Sequence, residues 1–224
     1  MPDLKNQKEK IVELTILSII LILSFIFWDT YFIYPIKLSV VLMHEVSHAI
    51  TTFITGGKII SMNIGFDLGG FCQSEGGNAM LIASSGYLGS LVFGLMFFLS
   101  PNKIKIGKWV VISVSLIIII VTAFTCSNIP FVLLTCFFFA LMMIAAFYMG
   151  VPILAILIRA FGLISCVYVL LDMKQDLLEK HIAISDVSLL SSQTGIPGIV
   201  FGMIWLVISI IILIFAFRIS FKTK

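Results

Sequence analysis

The chain has 224 residues, of which 60% are hydrophobic and only 11% charged, with a net charge of +3. A soluble domain carries roughly 45–50% apolar and about 25% charged residues, so this chain has too little charge to clothe a water-facing surface. The same balance excludes intrinsic disorder. The few basic residues, set at chain ends and in short loops, leave no nucleic-acid footprint.

What remains is an integral, multi-pass membrane protein lying in a lipid bilayer. A helix crosses the hydrocarbon core with about 20 apolar residues. In chain order, such runs cover about 11–28, 36–54 (interrupted by polar residues), 79–99 and 109–124. A single apolar stretch, 131–171, is divided into two spans by Gly150-Val151-Pro152, a turn signal. A last span covers about 197–217. The expected fold is therefore all-α, with six or seven transmembrane helices. It forms one integral membrane domain over 1–224, with its core at about 36–217 and a tail and first span in 1–35. The first run is longer than a signal core and no small-x-small site follows it, so no cleavable leader is expected.

Lys5, Lys8 and Lys10 argue for a cytoplasmic N-terminus. Three simple crossings would put the second basic cluster, Lys103, Lys105 and Lys108, on the opposite side, so charge in sequence order assigns no orientation. Cys72, Cys126, Cys136 and Cys166 share no metal-type spacing and read as small hydrophobes.

Two connections are long enough to hold structure. Residues 56–78 contain seven glycines. Between them Ile60, Met62 and Ile64 alternate with Ser61 and Asn63, a strand signal of period two. This predicts a small glycine-rich β-hairpin after the second span. The other connection, 172–194, holds most of the acidic residues of the C-terminal half.

The second span contains His44-Glu45-Val46-Ser47-His48 inside an apolar helix. Residues four apart share a helical face, so His44 and His48 can bind one Zn²⁺. Glu45, next to His44, can reach a water held there and act as general base. Only three histidines exist in the chain and two are in this motif. Ionisable groups at membrane depth cost about 2.5–3.5 kcal/mol each on insertion scales, and a divalent cation is a compensating partner. A zinc hydrolase commonly adds a third protein ligand. Candidates are Asp67, Glu75, Asp172, Asp176, Glu179, His181 and Asp186. Asp172, at the end of the sixth span, is expected as the ligand, because a continuing helix keeps it at the membrane boundary. Asp176, one turn further toward water, is the alternative.

The helix with HEVSH, then Gly56-Gly57, Gly69-Gly70 and Ser84-Ser85-Gly86-Tyr87-Leu88-Gly89-Ser90, resembles the site-2-protease-like membrane metallopeptidases, in their compact branch. Asp172-x-x-x-Asp176 followed by Ser185-Asp186 resembles that branch as well, with Val187 in place of an alanine. Well-studied relatives carry their third ligand in an Asp-Gly pair, where this chain has Asp172-Met173. The resemblance covers about 38–217. It implies an intramembrane zinc peptidase core, with His44, His48 and an aspartate as ligands and Glu45 as base, acting on membrane protein substrates.

Further expectations concern single features. Gly86, Ser90 and Gly94 form a small-residue stripe for close helix packing. Arg159, deep in a span, should find an acidic or carbonyl partner. The edge of the glycine-rich hairpin, at Ile60, Met62, Ile64, Gly69 and Gly70, is the expected substrate-binding surface, by strand addition. A non-catalytic scaffold or transporter that keeps the metal-binding fold is the competing reading. Paired interrupted helices, which would favour a transporter, are absent from the sequence.

Overall fold

The structure is a computed structural model. It describes residues 4–28, 30–178 and 185–221, apart from the side chains of 4–7, 104 and 174–178. Its elements in chain order are α1 (Leu4–Ile26), α2 (Tyr34–Ile54), β1 (Lys58–Ile64), β2 (Gly70–Glu75), α3 (Ala79–Leu99), a 3₁₀ turn (Ser100–Lys103), α4 (Ile104–Thr125), α5 (Ile129–Tyr148), α6 (Val151–Leu178), α7 (Asp186–Thr194) and α8 (Gly198–Phe221). Each of the seven apolar runs forms its own helix, and the 131–171 stretch divides at Gly150. Among the described residues α3, α4, α5, α6 and α8 are long and apolar enough to cross a membrane. The unexpected element is α7, capped by Ser185 through a reciprocal bond with Ser188 and ended by Gly195 at φ 72°.

Helix direction follows from the contacts. A Cβ on Gly162 would lie 2.3 Å from Phe98 N, and one on Gly94 would lie 2.8 Å from Cys166 Sγ, so α6 runs antiparallel to α3 at close range. Small residues permit that approach. Helix α2 is also antiparallel to α3. Thr55 lies beside Gly77 at one end, and Asn78 N donates to Thr55 Oγ1 at 3.1 Å. Helix α1 lies along α6 in the same direction: Glu13 meets Arg159, Leu17 packs with Phe98, Ala160 and Leu163, and Trp28 reaches the Tyr168 ring. Helices α1 and α2 therefore both run opposite to α3. This corrects the three simple crossings assumed from sequence: the start of α1 and the α3–α4 turn lie at one end of the bundle.

The hairpin forms as expected. β1 and β2 pair antiparallel, with Met62 opposite Cys72 and Ile64 opposite Gly70, but the register shifts between Ile59 and Ser61. The extra residue reverses the alternation. Met62 and Ile64 are fully buried, whereas Ile60 is 50% exposed.

Arg159 has the partner its position demanded. Its guanidinium meets Glu13 Oε1 at 3.1 Å and donates to Asn102 Oδ1 at 2.9 Å, between the rings of Phe98 and Phe221.

Candidate active site

His44 and His48 sit one turn apart on α2, with ring centroids 4.7 Å apart. The wall facing them is α3. His48 Nδ1 lies 2.7 Å from the Ile82 carbonyl. A proton on that nitrogen leaves Nε2 with its lone pair toward the cluster, the arrangement metal-binding histidines use. Tyr87 packs edge-on against His44, centroids 4.8 Å apart.

Gly86 makes this geometry possible. An added Cβ there would stand 2.3 Å from His44 Nε2 and 2.6 Å from His48 Nε2. The small-residue stripe thus has two jobs. Gly86 clears the histidine pair on α2, and Gly94, two turns on, lets α6 approach. Gly89, outside the stripe, makes room for Ser47.

The third member comes from α7. Asp186 Oδ2 lies 3.0 Å from His44 Nε2 and 3.2 Å from His48 Nε2. Among the described residues these three form the group whose ligand atoms lie within 4.8 Å of one another. Asp172, the expected third ligand, is not part of that group. The side chain of Asp176 and the whole of Glu179 and His181 lie outside the described residues. Asp186 was among the candidates, but ranking by depth along a continuous α6 passed over it. The carboxylate that reaches the pair stands at the first position of a separate helix, where the Ser185 cap fixes its direction. The Ser185-Asp186 pair was the signal available in sequence. Burial would by itself raise the Asp186 carboxyl. The two facing imidazoles more than offset this and hold it below the usual carboxylate range.

This donor set fits a zinc ion. Bonds of about 2.0–2.1 Å at tetrahedral angles put ligand atoms about 3.3 Å apart, close to the two His–Asp separations. Asp186 Oδ2 is buried without a well-formed hydrogen bond, and so is Glu45 Oε2. Glu45 Oε2, orphaned in an apolar interior, is costly unless a cation or water completes it. Glu45 itself is 5% exposed.

The hairpin passes over this group. A Cβ on Gly70 would lie 2.7 Å from Glu45 Oε1, so β2 runs against the acid at closest approach. The outer edge of β1, expected to take an extended substrate, is already occupied. Ser127 N donates to the Met62 carbonyl at 3.0 Å, and Asn128 Nδ2 donates to the Ile64 carbonyl at 3.0 Å. Asn128 also caps α5, its Oδ1 accepting from Phe131 N. Met62 and Ile64 are thus withdrawn from any substrate surface, and Gly69 closes the turn by accepting from Gly65 N at 2.8 Å. Because the Met62 and Ile64 carbonyls point away from β2, their partners Cys72 and Gly70 direct their own amides and carbonyls to the far side of β2. Among the described residues no hydrogen bond reaches that edge.

The sequence profile described as Peptidase M50B-like matches residues 16–216. The chain belongs to the Peptidase M50B-like family. The match runs from α1 to α8 and agrees with the resemblance to site-2-protease-like enzymes. With the five long apolar helices it makes the protein an integral, multi-pass membrane protein of a metallopeptidase family. No curated protein and no solved structure matches the chain.

Proposed function

We propose that the protein is an intramembrane zinc metallopeptidase that cleaves membrane-embedded or membrane-proximal protein segments. The observation that carries this reading is the convergence of His44, His48 and Asp186 beside a buried, partnerless Glu45 oxygen. His44, His48 and Asp186 would hold the zinc. When bound, the ion supplies a Lewis acid that polarises a carbonyl and acidifies water.

The residues of the chain do the rest. Glu45 Oε2, free of hydrogen bonds, takes a proton from the attacking water and returns it to the leaving amine. The anionic Asp186 and the Ile82 carbonyl behind His48 keep the ligands oriented. The free edge of β2 at Gly70 and Cys72 pairs with the backbone of an extended substrate. A helical substrate has its amides bonded within itself, so it must unwind to use that edge. Gly70, without a side chain, lets the paired strand lie next to Glu45.

The test is Glu45→Gln, which keeps size and polarity but removes the base. Purified protein should retain zinc while peptide cleavage falls at least about 100-fold. Undiminished cleavage would refute the mechanism. Equal zinc in the parent and in His44→Ala would refute the metal site.

A further inference from the structure

The contacts gather the basic residues at one end of the bundle. Arg159 bridges Glu13 on α1 to Asn102 after α3, and Asn102 Nδ2 donates to Ser220 on α8 at 3.3 Å. Lys8 and Lys10 stand just before Glu13, Lys103, Lys105 and Lys108 follow Asn102, and Arg218 precedes Ser220. With Lys5 and Arg159, eight cations among the described residues share this end. The hairpin end carries Lys58 and, toward the end of α6, Lys174. The two basic clusters that oppose one another in sequence order are on one side, because α1 and α2 run parallel.

The histidine pair lies nearer the other end. Gly86, against which both rings pack, is seven residues into α3, about 10 Å from its start and about 20 Å from its finish at 1.5 Å per residue. The hairpin that covers Glu45 springs from that same end, where Gly57 meets Gly76.

Lysine and arginine in short loops are retained on the cytoplasmic side of a membrane. We infer that the Asn102 end faces the cytoplasm, and that the site is therefore entered from the opposite, non-cytoplasmic face. Its substrates are then membrane proteins whose cleavable segment lies on the non-cytoplasmic side of the bilayer. The substrate class rests on the peptidase reading above; the orientation does not.

The test reads orientation without activity. In full-length protein with Cys72, Cys126, Cys136 and Cys166 replaced by serine, single cysteines are placed at the hairpin (Gln73→Cys, Glu75→Cys) and at the other end (Lys103→Cys, Lys105→Cys). Intact cells are treated with a membrane-impermeant maleimide, with and without permeabilisation. The hairpin pair should label equally in both conditions, and the Lys103 and Lys105 positions only after permeabilisation. Two positions per end guard against one variant failing to accumulate. The reverse pattern overturns the inference, as does labelling of both ends in intact cells whose cytoplasmic proteins stay unlabelled. Zinc content of His44→Ala separately tests the peptidase reading and leaves the orientation result standing.

Discussion

Gly86→Ala adds one methyl group to the wall behind both histidines. Its carbon would sit 2.3 Å from His44 Nε2, whereas ordinary contact begins at 3.4 Å. The ring or α3 must therefore retreat by about 1.1 Å, several times the roughly 0.2 Å within which metal–ligand distances hold. Overpacking of this kind costs about 1–3 kcal/mol of stability, and displaced ligands should weaken zinc by about 10–100-fold. A misplacement of about 1 Å at a reacting centre costs on the order of 100-fold in rate. The assay is competition for zinc with a chelator in detergent, beside cleavage of a membrane substrate. Gly150→Ala is the neutral control, since nothing lies within 4 Å of its added carbon. Gly94→Ala presses on Cys166 and should lower the unfolding temperature while zinc affinity holds. Gly86→Ala with parental zinc affinity and full activity would refute the account of the α2–α3 contact.

Asp186→Asn should lose zinc and activity, whereas Asp172→Asn should keep most of both; metal analysis showing the reverse would return the third ligand to α6. The Cys72 thiol, pushed up to about 12 first by burial and then by Glu45 and Asp186, should carry on the order of a thousandfold less thiolate at pH 8 than an ordinary cysteine. Iodoacetamide should therefore modify it very slowly in metal-free folded protein, gaining speed only as pH rises toward that value, and rapid modification at pH 8 would contradict the burial. Glu13→Ala takes the carboxylate from the buried Arg159 and leaves its hydrogen bond to Asn102. It should cost about 2–4 kcal/mol, near or below the usual figure for a broken buried pair because Glu13 is itself 25% exposed. A thermal midpoint equal to the parent's would show that the pair contributes nothing.

Much of the protein was legible in order along the chain, because the signals concerned are local. Apolar run length gave the spans, since each helix must satisfy its own backbone in lipid. The i, i+4 spacing put His44 and His48 on one face, and alternation marked the hairpin at Met62 and Ile64. Tertiary structure decided whatever depends on which segments meet. One bulged residue exposed Ile60, and the α4–α5 connection closed the β1 edge and left β2 open. Parallel packing of α1 and α2 brought distant lysines to one end, which a count of crossings cannot reveal. The third carboxylate was also decided this way. Depth along a single helix favoured Asp172, but a metal site is completed by whichever side chain a separate element carries to the histidines. Helix α7 carries Asp186 there, within 3.2 Å of both.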